Sequence, residues 1–577
     1  MLRPDSLPDL RRSAAGRAKI AAPAWGAVLL AAACAEAPTP PADLVLRGGV
    51  VHTVDDALPS AEAVAVRDGR IVYVGSDAGA DALVGEGTEV VELDGRLVLP
   101  GLHDTHLHPV SGGIELGECD LNAAASREAV LSTVAQCALR DPDAAWVVGG
   151  GFQLPLFPGG APTRELLDSL VPDRPAYLSS ADGHSAWVNS AALALAGVTA
   201  ATADPLPDGV IVRRADGSPA GTLRESAMGL VGRILPERSD ADVAAGLERA
   251  LAMAASLGIT TLHEASADEA FLRAYRAAED AGALTARVVV ALRVSDAEGV
   301  EQVARLAELR DRHMGTLVRP VAAKMFADGV IEGQTAALLE PYADRPGFRG
   351  ELNFPPERFE ALVGALDSAG FKVHVHAIGD RAIRTAFDAF QAQHARDGGA
   401  GPRHVMAHIQ LFHPDDVGRF AELGVVASFQ PLWAYEDTYI TDLTEPRLGP
   451  ARSRWLYPIG SVLATGAIVA GGSDWSVSSM DPFRAMEVAV TRRDPDGPPG
   501  GDAWIPEERV GVRDMIRAYT LAGAMAGDME DETGSVTVGK SADLVVVDRN
   551  LLEVPAHEIS ETGVDLTVFR GRVVYRR

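Results

Sequence analysis

Two histidines two residues apart, His106 and His108 in Asp104-Thr105-His106-Leu107-His108, are where this sequence first offers chemistry. On an extended strand, side chains at i and i+2 point to the same face, so both imidazoles could grip one ion. His376, His408 and Asp474 fall in or at the ends of later apolar runs, and Lys324 falls within another. Neutral imidazole nitrogen and carboxylate oxygen are the donors that zinc and related divalent ions take, at roughly 2.0–2.2 Å. Each residue alone has an ordinary reading. A single strand histidine is more often a hydrogen-bonded core residue than a ligand, Asp474 could cap the next helix, and Lys324 could be half of an ion pair. Together, a same-face pair followed by His, His and Asp at successive strand ends is hard to explain by packing.

Such residues need elements that bring them together. Eight apolar, strand-like runs are expected at 102–108, 259–264, 287–293, 321–328, 371–377, 404–410, 425–430 and 468–474, alternating with Ala/Leu/Arg-rich helical stretches. Eight βα units imply an α/β fold with a closed parallel (β/α)8 barrel, whose chemistry sits at the C-terminal ends of its strands. Both flanks read instead as short β segments punctuated by Gly and Asp turns, such as Arg67-Asp68-Gly69-Arg70. The expected organisation is a leader and linker over 1–41, a β-rich part over 42–100, and the barrel over 101–500. The last barrel helices and a second β-rich part follow over 501–577. A long insertion at about 110–250, at the catalytic face, would shape a substrate pocket.

At 577 residues the chain is too long for one small domain, and 47% hydrophobic with 23% charged residues is an ordinary globular mixture. Acidic residues outnumber basic ones 80 to 52, a net charge of -28 that would repel phosphate backbones, so nucleic acid is excluded as a partner and a small-molecule substrate is expected. Arg3, Arg11, Arg12, Arg17 and Lys19 precede an apolar run ending at Cys34, the layout of an export signal. Leu29-Leu30-Ala31-Ala32-Ala33-Cys34 is similar to a bacterial lipoprotein signal, with Ala31 where leucine is more usual; a plain signal peptide is the alternative. Either implies export, to the periplasm or to a membrane through a lipid anchor at Cys34. In an oxidising compartment Cys119 and Cys137 could bridge or remain buried thiols. Oligomeric state leaves no mark in the sequence.

The metal-ligand set resembles that of the amidohydrolase superfamily, and more closely its YtcJ-like branch, which includes N-substituted formamide deformylases. The motifs that carry the resemblance begin with Pro100-Gly101-Leu102-His103-Asp104-Thr105-His106-Leu107-His108, Asp182-Gly183-His184-Ser185-Ala186-Trp187-Val188-Asn189-Ser190 and Lys324-Met325-Phe326-Ala327-Asp328-Gly329. They continue with His376-Ala377-Ile378-Gly379-Asp380-Arg381-Ala382, Gly472-Ser473-Asp474-Trp475 and Gly539-Lys540-Ser541-Ala542-Asp543-Leu544. The resemblance spans the chain from about Asp43 to its end and implies that the two β-rich ends pair into a small sandwich. Relatives tend to have Glu-His-Ala-Gln where this chain has Ala407-His408-Ile409-Gln410, so a carboxylate beside His408 is missing.

The implied activity is hydrolysis of a C–N bond by metal-activated water, with an amide or N-substituted formamide as substrate. His106, His108 and Asp474 would hold the more buried ion, His376 and His408 a second or the rest of the site, and Asp474 would act as general base. Zinc is the default for these donors. Lys324 has two readings: a carboxylated lysine bridging two ions, or an ammonium paired to a neighbour such as Asp328 beside one ion. His184 and Trp187 could face the mouth, with His184 stabilising the developing oxyanion, or Trp187 could simply anchor the insertion. For His103, His263, His374 and His404, core packing or support of a neighbouring ligand is expected. Asp380 and Arg381 are expected to fix a loop by an ion pair or helix cap. Rival readings are cyclic amide, ester or carbamate hydrolysis at the same site, and a lipoprotein that binds a ligand without catalysis.

Overall fold

Each of the eight expected runs contains a strand, and the eight lie side by side in chain order, all parallel. The barrel strands, first to eighth, are Leu102–Leu107, Ile259–Ala267, Arg287–Arg293, Val318–Phe326, Lys372–Ala377, Val405–His408, Val426–Phe429 and Val469–Gly471. The computed structural model describes residues 40–205, 209–399, 401–498 and 500–577. The leader and Cys34 lie outside them, and Pro41–Arg577 forms one unit. Buried on both faces, these strands alternate by chemistry instead of exposure. In the fifth, Val373, Val375 and Ala377 join the apolar core, while His374 and His376 take the other face.

The ring is drawn together just past the end of the eighth strand, where it meets the first. Asp474 N donates to His106 O and His108 N to Trp475 O, each at 2.7 Å. Asp104 Oδ1 accepts from both Ser473 N (3.0 Å) and His106 N (3.2 Å). Gly472 permits this approach: a Cβ there would lie 2.8 Å from His106 N and 2.9 Å from its Cβ. The helix that follows, Pro109–Glu115, packs on Asp240–Ser256 with Gly113 almost against Gly246 O, a contact no larger residue could make. This steadies the chain leaving His108.

The two chain ends combine as the resemblance implied. One sheet runs Arg70–Gly75, Ala63–Arg67, Leu44–Arg47, Glu89–Glu92. The other runs Arg572–Arg576, Val564–Phe569, Leu544–Val547, Leu97–Pro100, Val50–His52, Ser60–Ala61. Leu44, Leu46, Val64, Val546 and Val568 share the core between them. Leu97–Pro100, fully buried and central in its sheet, was not among the expected strands.

The insertion builds a six-stranded sheet of Val210–Arg213, Pro219–Arg224, Ser185–Val188, Ala176–Ser180, Val147–Phe152 and Cys119–Asp120. Cys119 and Cys137 are joined in a disulfide that ties an edge strand of this sheet to the helix Arg127–Arg140. Trp187 is fully buried beside Phe152 and Phe157, and its Nε1 donates to Thr163 O at 2.9 Å. It anchors the insertion and does not face the mouth.

Because Gly472 sets the distance between the ends of the first and eighth strands, Gly472→Ala should push His106 and Asp474 apart. Overpacking of this kind costs about 1–3 kcal/mol. We expect a lower denaturation midpoint together with reduced bound metal on elemental analysis; unchanged stability and metal content would show that the approach does not matter.

Candidate metal centre

At the C-terminal end of the barrel, donor atoms of His106, His408 and Asp474 lie within 4.8 Å of one another, all buried. His106 Nε2 is 3.4 Å from Asp474 Oδ1, and His408 Nδ1 is 3.9 Å from Asp474 Oδ2. Asp474 is 5% exposed, and its Oδ1 accepts no hydrogen bond. A buried carboxylate oxygen without an aligned donor is costly; the His108 ring, 3.2 Å away, is its nearest partner, and a divalent ion would satisfy it more fully. The donor set is therefore one a divalent ion fits.

The imidazoles are in the right form to serve it. Burial, with the charge of Lys324 and neighbouring rings adding to it, holds His106 and His408 well below the ordinary imidazole range, which leaves lone pairs for ligation. His106 Nδ1 lies 2.7 Å from His374 Nε2, and His408 Nδ1 lies 3.0 Å from Gln430 Oε1. A ring that donates from Nδ1 to such a partner presents Nε2 as the acceptor. His408 and Ile409 both adopt left-handed backbone, φ 72° and 51°, as does Asp474 at φ 54°. For a β-branched residue such as Ile409 this is a strained conformation, of the order of 1–3 kcal/mol, of a kind that clusters at functional sites. It also explains why the expected strand over 404–410 ends at His408.

The remaining expected ligands surround this triad. His108 Nε2 is 3.2 Å from Asp474 Oδ1 and its Nδ1 3.7 Å from Glu264 Oε1. Burial opposes its charge, but the carboxylates of Asp474 and then Glu264 outweigh that and push it up to about 9. Thus the compact set pairs His106 and Asp474 with His408, while His108 stands beside it between two carboxylates. The His376 ring centroid is 4.4 Å from that of His408, and its Nε2 is 3.3 Å from Gly329 O. Lys324 Nζ is 3.1 Å from His106 Nε2, and among the described residues it has no carboxylate within ion-pair distance. Its expected alternative partner is otherwise engaged: Asp328 accepts from Ala337 N, Ile378 N and Gly379 N at 2.8–3.0 Å. The Lys324–Asp328 pair is not formed.

Sequence reasoning did not single out Glu264, Gln430 or Glu225. Glu264 is buried, takes a hydrogen bond from Tyr275 at 3.0 Å and faces His108. Glu225 lies 2.8 Å from His184 Nδ1 across 41 residues of chain. Burial opposes the charge on His184, yet Glu225, then Asp182 and Asp474, overcome it and raise the ring to about 9. The His184 ring is tilted against that of His376, centroids 5.4 Å apart, and borders the cavity. Asp380 and Arg381 fix the loop after the fourth strand, by Leu339 N→Asp380 Oδ1 and Arg381 Nη2→Gly350 O, both 2.8 Å, instead of pairing or capping. His374 supports His106, whereas His404 stacks on Phe390, away from the centre.

Two cavities meet at this cluster. One of about 770 Å3 is polar and includes His108, Lys324 and Glu225. The other, about 280 Å3, runs past His408 and Asp474 to Trp433, Tyr435 and Tyr457.

Residues 89–575 match the family model described as "Amidohydrolase family". The chain belongs to the amidohydrolase family, in its YtcJ-like branch, and is a hydrolase. It is 32% identical to Protein LONG AFTER FAR-RED 3 of Arabidopsis thaliana over 93% of each chain, and 29% identical to YtcJ of Bacillus subtilis over 92% of this chain and 99% of that one. Identity to the N-substituted formamide deformylase of Arthrobacter pascens is 27%, over 93% and 98%. A crystal structure of an uncharacterized metal-dependent hydrolase from Pyrococcus horikoshii is similar at TM-score 0.70 and 25% identity, covering 89% of this chain and 99% of that one.

The Glu225–His184 attraction contributes stability that is complete below the ordinary imidazole pKa near 6.5 and fades as pH rises through about 9. Glu225→Gln should return the His184 titration toward that ordinary value in an NMR pH series; a midpoint still near 9 would show that another group holds the proton.

Proposed function

We propose that this chain hydrolyses an amide-type C–N bond, in an N-substituted formamide or an acylated amine, with a divalent ion held by His106, His408 and Asp474. The observation that carries the reading is the buried Asp474 carboxylate, without an aligned donor at Oδ1 and facing the neutral imidazoles of His106 and His408 across its two oxygens. Bound there, the ion polarises the carbonyl and lowers the pKa of bound water toward about 7, which makes hydroxide available near neutral pH. Zinc is the ion that best suits this donor set.

The chain supplies the rest. Asp474 takes a proton from the attacking water as the new C–O bond forms at the carbonyl carbon. It then returns the proton to nitrogen as the C–N bond breaks, so the products are a carboxylic acid and a free amine. His184, protonated against Glu225, is placed to donate toward the oxygen on which negative charge develops.

Lys324 supports a second ion. Burial lowers it to about 7, so much of it is the neutral amine at neutral pH. That form can add to carbon dioxide: an N–C bond forms, a proton leaves, and the side chain becomes a carbamate anion. With that anion, Lys324 and His376 would hold a second ion beside the one at His106, His408 and Asp474. Export of the protein, with anchoring at Cys34, is part of the same proposal, and the Cys119–Cys137 disulfide supports an oxidising compartment.

Purified protein supplied with zinc and bicarbonate should approach two ions per chain and hydrolyse members of an amide panel in a chelator-sensitive way. Lys324→Ala should hold one ion fewer and lose at least tenfold in kcat. A single ion per chain, unchanged in the variant, would remove the bridge; absence of turnover across the panel by fully loaded protein, with tight ligand binding, would favour a binding protein.

A further inference from the structure

The smaller cavity has walls suited to a positive charge. Trp433, Tyr435 and Tyr457 line it together with the carboxylates of Glu332 and Asp437; no Lys or Arg is among its lining residues, and the cationic ring there, His184, is paired with Glu225. Neither carboxylate has an Arg or Lys within ion-pair distance among the described residues. The guanidiniums around them are engaged elsewhere: Arg484 with Asp496, Arg447 with Asp344, and Arg492 on the carbonyls of Trp504, Tyr457 and Leu456. Glu332 is 8% exposed and is held in place by Thr444 Oγ1 and, at 3.1 Å, by Gln410 Nε2, two residues beyond His408. Asp437 accepts from Ile440 N at 2.9 Å, and burial, with the repulsion of Glu332 behind it, raises its carboxyl to about 6. The two acids thus sense each other without an intervening cation.

A second observation is independent of the acids. Tyr457 is 3% exposed, held at φ 49°, and borders the cavity, yet its hydroxyl has no hydrogen-bond partner among the described residues. A buried phenol normally finds one. Its ring and those of Trp433 and Tyr435 offer π faces, and its oxygen can accept a bond from an ammonium N–H.

We propose that this cavity is a cation subsite that binds an ammonium on the N-substituent of the substrate, so that the preferred substrates are mono-acylated diamines and related cationic amides. This rests on the hydrolase reading for its link to turnover, because the same cavity reaches His408 and Asp474. The ammonium sits between Glu332 and Asp437 against the aromatic faces, and the acyl carbonyl extends toward the metal centre. The chain's net charge of -28 acts in the same direction, by drawing cations to the mouth.

The test compares N-formyl- and N-acetyl-1,5-diaminopentane with their neutral isosteres, N-hexylformamide and N-hexylacetamide, on the metal-loaded full chain at pH 7. Binding of free 1,5-diaminopentane is followed calorimetrically on the same sample. We expect kcat/KM to favour the cationic member of each pair at least tenfold, and this ratio to fall at least tenfold in Glu332→Gln and in Asp437→Asn. Tyr457→Phe, which leaves the carboxylates in place, should weaken diamine binding severalfold. Turnover without preference for the cationic member, or a preference untouched by both acid substitutions, would overturn the subsite while leaving the hydrolase standing. Diamine binding that is lost in Glu332→Gln, without turnover of any of the four amides, would uphold the subsite and count against the hydrolase reading.

Discussion

A carboxylate withdrawn from water into a barrel must find positive charge or donors, because the solvation it gives up is worth several kcal/mol. The oxygens of Asp474 lie 3.4 and 3.9 Å from the neutral imidazoles of His106 and His408 and 3.2 Å from His108, and Oδ1 has no aligned hydrogen bond. Much of the surrounding structure serves to hold that arrangement. The backbone bonds between the eighth and first strand ends fix Asp474 to His106, Asp104 clamps both chains from below, and Gly472 leaves room for the contact. Strained backbone at His408, Ile409 and Asp474 is sustained by the packed core around it. A site that stores strain and leaves a buried carboxylate without an aligned donor is arranged for a ligand that brings positive charge to it.

The insertion gives this centre its substrate face. Its sheet is stabilised away from the chemistry, by Trp187 in its own core and by the disulfide at its edge, and that frees Asp182 and His184 to border the cavities. Glu225 belongs to the same insertion and reaches both His184 and Thr335 of the loop after the fourth barrel strand, at 2.8 and 2.6 Å. Insertion and barrel are thereby joined through a charged pair at the mouth, where the polar and aromatic cavities meet.

What was legible in the sequence was what short spacing encodes. His106 and His108 announce themselves by period two, the eight strands by apolar runs between helical stretches, and the paired β-rich ends by their turns. What was not legible depends on register between strands distant in sequence. The proximity of His374 to His106 follows from where the fifth strand lies across the ring, and no local pattern marks it. Gln430 and Glu264 take their roles from neighbours 22 and 156 residues away, and read locally as ordinary strand-end polar residues. His408, which the sequence leaves between a second ion and the rest of the first site, lies in the compact triad where the chain turns left-handed, a conformation that a His-Ile pair gives no reason to expect. Asp328, by contrast, looked like a partner for Lys324 and is instead consumed by three backbone donors that shape the loop.

The most direct test of the metal centre is anomalous diffraction from crystals of the zinc-loaded protein at the metal absorption edge. A peak is expected at roughly 2.0–2.2 Å from nitrogen atoms of His106 and His408 and from a carboxylate oxygen of Asp474. A clear peak elsewhere, or none in the presence of excess metal with Asp474 still lacking a partner, would contradict that placement.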